Sequence, residues 1–112
     1  MEMFVVEIDP REKSINIVEF NDESVGLSDM YASLECDMVE RLALSSDFDL
    51  WIDEEGQLNG ASDRIGEFVI GDDEGYQFVG KGLICSSTDD GDSIPFPKEI
   101  AQYILDNLTI KF

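Results

Sequence analysis

Three short acidic runs, each containing a glycine, punctuate the second half of this chain: Asp53-Glu54-Glu55-Gly56, Asp72-Asp73-Glu74-Gly75 and Asp89-Asp90-Gly91-Asp92. Such runs favour tight, solvated turns, because Asp bonds to nearby backbone and glycine accepts positive φ without strain. Short apolar segments lie between them. Phe48, Leu50 and Ile52 alternate with Asp47, Asp49, Trp51 and Asp53, as a strand with two unlike faces does. After the first turn, Gln57 to Gly60 bring the chain back. Glu67–Ile70, Tyr76–Val79 and Gly80–Ser86 read as further strands.

The first half follows the same pattern. Met3–Ile8 reads as a strand, Asp9-Pro10-Arg11-Glu12 as a turn, and Ser14–Phe20 as the hairpin partner. Ser28 is placed to cap a short helix over about Asp29–Glu35, on which Leu27, Met30, Tyr31 and Leu34 follow helical spacing. Cys36–Leu44 fits a strand better than a helix. Pro97 suits the first position of a C-terminal helix with an apolar stripe of Ile100, Tyr103, Ile104, Leu105 and Leu108. Thr109–Phe112 is a short final strand. The expectation is one α+β domain over residues 1–112: a mainly antiparallel β-sheet, a short internal helix and a C-terminal amphipathic helix.

A hydrophobic content of 43% suits a chain that buries a core. No apolar run reaches the roughly 18 residues of a membrane span. The start, Met1-Glu2-Met3-Phe4, lacks the basic region of a signal peptide, and two cysteines make no disulfide framework. A cytoplasmic location in a bacterial host cell is expected, with no membrane partner.

Charge sets this chain apart. Twenty-six acids oppose seven bases with no histidine, a net −19. Residues 47–92 hold 13 acids and 2 bases, whereas residues 93–112 hold 2 of each. Such a surface repels nucleic acid and attracts basic proteins or cations; the same charge also serves simple solubility. In duplex DNA, 19 charges would occupy about 32 Å of axis. A domain of this length is close to that across, so its charge per length is comparable to that of DNA.

Lack of histidine removes Ser-His-Asp and Cys-His nucleophiles and the commonest metal ligand. Cys36 lies between Glu35 and Asp37, and Cys85 follows Ile84; such surroundings raise a thiol pKa and suit core residues. None of the acidic turns carries the ligand series of a calcium-binding EF-hand loop. Gly75–Gly82 approaches a phosphate loop. It lacks the Ser or Thr for magnesium and leads into a strand, where the motif requires a helix. Spacing alone leaves paired carboxylates for glycoside hydrolysis open. No cofactor, catalytic residue or metal ligand is assigned, and binding is expected rather than catalysis.

The run Phe48-Asp49-Leu50-Trp51-Ile52-Asp53-Glu54-Glu55-Gly56-Gln57-Leu58-Asn59-Gly60 resembles the central hairpin of a small family of unknown function common in phages and mobile elements. Val79–Cys85 with Asp89–Asp92 resembles that family's glycine-led strand and acidic turn. The resemblance covers about two thirds of the chain. It implies a phage or plasmid context and lends no catalytic residues.

The leading expectation is a non-enzymatic inhibitor of the anti-CRISPR or anti-restriction class. It would mimic nucleic acid and occupy a basic surface on a host nucleic-acid-binding protein, without binding nucleic acid itself. Asp47, Asp49, Asp53, Glu54, Glu55, Asp72, Asp73, Glu74, Asp89, Asp90 and Asp92 would supply the field. Trp51 would be either an outer-face anchor or covered by a second layer such as the C-terminal helix. Two other readings stand beside it. One is a structural or assembly module whose neutral C-terminal helix is the interface, as in a homodimer. The other is a weak divalent-cation-binding protein.

Overall fold

The structure, a computed structural model, describes residues 2–71 and 75–112. The acidic turn expected at Asp72-Asp73-Glu74 lies outside the described residues. The chain begins with β1 (Phe4–Asp9) and β2 (Ser14–Glu19), a hairpin that pairs Val5 with Val18 and Ile8 with Ile15. Helix α1 (Leu27–Leu34) follows, then β3 (Val39–Ala43) and β4 (Phe48–Asp53) as a second hairpin. A one-turn helix α2 (Ala61–Arg64) leads to β5 (Glu67–Ile70), β6 (Tyr76–Val79) and β7 (Gly82–Ser87). The chain closes with β8 (Ser93–Ile94), α3 (Lys98–Asn107) and β9 (Ile110–Lys111).

These strands form two antiparallel sheets. The larger runs β2-β1-β7-β4-β3, with β8 also on β7; the smaller runs β6-β5-β9. The architecture is α+β, as the alternating segments require. The division into two sheets is not written in the strand pattern, because it depends on distant pairings such as β5 with β9.

Period-two alternation gives the larger sheet two unlike faces. On one, Val6, Ile8, Leu50, Ile52 and Ile84 pack beneath Phe68, Phe96, Ala101 and Ile104 in a dry cluster. Gly82 lies at its centre. A Cβ there would come 2.8 Å from the Phe68 ring and 3.1 Å from Leu50 Cδ1, so only glycine admits the ring. On the other face Val5, Leu83 and Cys85 meet Val25, Met30 and Leu34 from α1 and the segment before it. Apolar burial on both faces holds the layers together.

Several boundaries differ from the sequence expectation. α1 begins at Leu27 with Gly26 as its N-cap, and the Gly26 N–H donates to Asp29 Oδ2 at 2.9 Å. Asp29 thus makes the returning half of a capping box, and Ser28, expected as the cap, lies inside the helix. Pro97 is the cap of α3 rather than its first helical residue. Residues 57–60 return the chain through turns into α2, which the sequence reading omitted. β3 is confined to Val39–Ala43, and β7 starts at Gly82.

Candidate functional site

β4 places the expected binding residues, and its register decides which of them reach solvent. Asp49, Trp51 and Asp53 share a face with Val39, Arg41 and Ala43 of β3 and with Leu83 and Cys85 of β7. That face lies under α1. Asp49 is 4% exposed and Asp53 6%. The expectation that these carboxylates form an outer face is therefore corrected: the apolar residues around them draw α1 down over the strand. Trp51 is half-buried against the same cluster, so it is covered by α1 and not by the C-terminal helix. It also lines a cleft of about 320 Å³ with Arg41 and Asp92. Among the described residues, Trp51 Nε1 and Asp49 Oδ2 are buried without hydrogen-bond partners, and Arg41 Nη1 stands 4.0 Å from Asp49 Oδ2.

The acids divide between the two ends of the sheet. Asp47 begins the β4 end that lies beside Asp89, Asp90 and Asp92: its carbonyl accepts the Ser86 hydroxyl, and β7 runs on into that turn. Asp53, Glu54 and Glu55 lie at the opposite end, about 20 Å away by the rise of a strand. Among the described residues, the structure therefore gathers the other expected acids into two groups, with Asp49 and Trp51 between them within β4.

The Asp53 end is the more elaborately built. Asp53 Oδ1 accepts the Glu55 N–H at 2.9 Å, and Oδ2 accepts Asn59 Nδ2 at 2.8 Å. Asn59 Oδ1 in turn accepts the Ala61 N–H and Arg64 Nη2, at 3.1 and 3.2 Å. Backbone bonds from Leu58 and Asn59 to the Glu55 carbonyl complete the turn. Gly56 is buried against β6, where a Cβ would meet the Val79 carbonyl oxygen at 2.8 Å. This loop and the C-terminus of α1 border a cleft of about 420 Å³ whose lining includes Glu35, Cys36, Asp37, Asp53, Glu55 and Leu58.

An ion-pair network borders this cleft. Lys81, 8% exposed, lies 2.6 Å from Glu7 Oε1 and 3.7 Å from Glu35 Oε2, and Ser33 donates to Glu7 Oε2 at 3.0 Å. Arg11 Nη2 contacts both Glu35 oxygens, at 3.0 and 3.1 Å. The hydrogen bond from Arg11 chiefly holds the Glu35 carboxyl below its ordinary pKa, with the charges of Arg11 and Lys81 adding to it. Glu35 ends α1 at φ 55°, a left-handed conformation that costs a non-glycine residue about 1 kcal/mol. The sequence reading missed Glu7, Glu35, Leu58, Asn59 and Lys81. A lysine between two glycines at the mouth of an apolar strand was the available signal for Lys81.

Cys85 is buried, as expected of a core residue, whereas Cys36 is only half-buried. Burial pushes Cys85 up to about 11, with Asp49 adding to the rise and a Ser93 hydrogen bond opposing it. Burial likewise pushes Cys36 up to about 11, reinforced by Asp53. Among the described residues no three His, Cys, Asp or Glu side chains converge as a metal site. Nor is any helix among them long and apolar enough to cross a membrane. The arrangement offers a carboxylate-rich surface able to receive cationic groups.

Comparison with curated proteins and with solved structures gives no match. A family model described as a domain of unknown function (DUF3846) matches residues 1–109, almost the whole chain, and the chain belongs to that family.

Proposed function

We propose that this protein is an acidic binding protein whose carboxylates occupy a basic, nucleic-acid-binding surface on a protein partner. The observation that carries this reading is a net charge of −19 on a body measuring 37 × 29 × 24 Å. By the spacing of phosphates in duplex DNA, that charge would occupy about 32 Å of axis. Glu54 and Glu55 at one end of the larger sheet, and Asp47, Asp89, Asp90 and Asp92 at the other, are exposed and available to such a partner. Asp53 acts through the loop geometry it holds, and Asp49 is buried away from such a partner. An inhibitor of host nucleic-acid machinery in a phage or mobile-element setting is the biological role that suits this chemistry.

The test is retention of basic proteins from a bacterial lysate at low salt, followed by a salt gradient and competition with duplex DNA. The proposal expects nucleic-acid-binding proteins that elute steeply with salt and are displaced by DNA. Partners that persist at high salt, or ignore DNA, would overturn it. One observation favours the reading as an assembly module: Tyr103 of α3 is 57% exposed and borders an apolar groove of about 220 Å³ with Leu44 and Phe48. The remaining stripe of α3 is spent on the core, with Ala101 and Ile104 buried there.

A further inference from the structure

Leu58 is 85% exposed, yet it stands on a loop closed by the Asp53 and Asn59 hydrogen bonds. A leucine presented to solvent by a hydrogen-bonded loop has already met the backbone share of its ordering cost, which favours its use as a binding anchor. It forms the ridge between two clefts. One is the carboxylate-lined cleft beside α1. The other, about 390 Å³, runs between the loop and β6.

This second cleft is amphipathic. Leu58, Phe78 and Val79 supply apolar lining, and Glu40 and Glu54 stand among its walls. Met38, 46% exposed, lies alongside, its carbonyl accepting the Glu54 N–H at 3.0 Å. Among the described residues, no Lys or Arg is within ion-pair distance of Asp37, Glu40, Glu54 or Glu55. The nearby Arg11 and Lys81 pair with Glu35, and Arg64 bonds to Asn59.

We propose that this groove docks a basic amphipathic segment of a protein partner. One apolar side chain of that segment packs against Leu58, Phe78 and Val79, while its Lys or Arg residues meet Glu40 and Glu54 in the groove and Glu55 across the Leu58 ridge. The occupant follows from charge complementarity joined to an apolar floor: oligocationic chains without apolar side chains would leave the floor unused. The inference rests on the acidic-binding reading above and adds the location and the anchor.

Titration of ¹⁵N-labelled protein with two synthetic peptides of equal length and charge, oligolysine and a Leu/Lys amphipathic peptide, separates the possibilities. At about 150 mM salt, where surface charge is screened beyond roughly 8 Å, the amphipathic peptide should bind about tenfold tighter. Its shifts should centre on residues 38–40, 54–58 and 77–79. Leu58→Ser, a change at a solvent-facing position, should remove that preference while leaving the free spectrum folded. Equal binding of the two peptides, or shifts spread evenly to Asp47 and Asp89–Asp92, would overturn the groove and leave the acidic reading standing. Failure of both peptides to bind even at low salt would overturn both.

Discussion

The two ends of the larger sheet carry similar acid and are built in different ways. At the Asp89 end, the turn is held by local bonds: the Thr88 N–H to the Asp92 carbonyl, the Gly91 N–H to the Thr88 carbonyl and the Asp92 N–H to Thr88 Oγ1. At the Asp53 end, a buried carboxylate organises the loop, Lys81 joins β1 to α1, and an apolar side chain is held in solvent. Charge density alone therefore does not distinguish a binding surface from a solubilising one. The distinction lies in whether the surrounding structure fixes the geometry.

That contrast can be broken first at Lys81. Lys81→Met should destabilise the fold by about 3 kcal/mol, because the half-buried Glu7 carboxylate loses its cation. Adding Glu7→Gln should recover part of the loss in the thermal midpoint, as expected of coupled neighbours. Next in size, Asp53→Ala should cost about 2 kcal/mol by leaving the Glu55 N–H and the Asn59 amide without their acceptor. Hydrogen exchange at residues 55–59 should accelerate with it.

Smaller effects sharpen the comparison. Glu35→Gly should be more stable than Glu35→Ala by about 1 kcal/mol, since both lose the Arg11 contact and only glycine relieves the left-handed backbone. At the other end, joint Asp89→Asn and Asp90→Asn changes should alter stability by no more than about 0.5 kcal/mol, as expected for exposed turn residues.

Titration follows the same division. Glu35 has its folded pKa depressed by Arg11, so the stability it contributes is present above its unfolded pKa of about 4.3. That contribution is lost as pH falls through the lower folded value, and an Arg11→Met variant should keep only the smaller part that Lys81 supplies in acid-unfolding curves. Cys85, raised to about 11, acts in the opposite direction. Its contribution is complete below an unfolded pKa of about 8.5 and fades as pH rises toward 11. A Cys85→Ala variant should lose this alkaline limb, at the cost of a small cavity.

How far the sequence anticipated this molecule differs by level. Alternation in Phe48–Asp53 and the turn at Asp9–Glu12 disclosed the strands and the β1–β2 hairpin, because period-two patterning and turn chemistry are local. Pairing of β5 with β9 is non-local and left no such trace. Asp49 and Trp51 were assigned to the correct face of β4. Whether that face met solvent depended on where α1 packed, which one strand's pattern cannot encode. Leu58 went unremarked as an anchor because an isolated leucine in a polar turn looks the same in sequence whether the fold buries or displays it.

The most direct test compares equal charge removed from the two ends. Binding of the Leu/Lys amphipathic peptide would be measured for Glu54→Gln/Glu55→Gln and for Asp89→Asn/Asp90→Asn, at the same salt. The account predicts about five- to tenfold weaker binding for the first pair and less than about twofold for the second, on the scale of exposed charge pairs. Equal losses at both ends would contradict it, and would mean that the partner reads net charge alone.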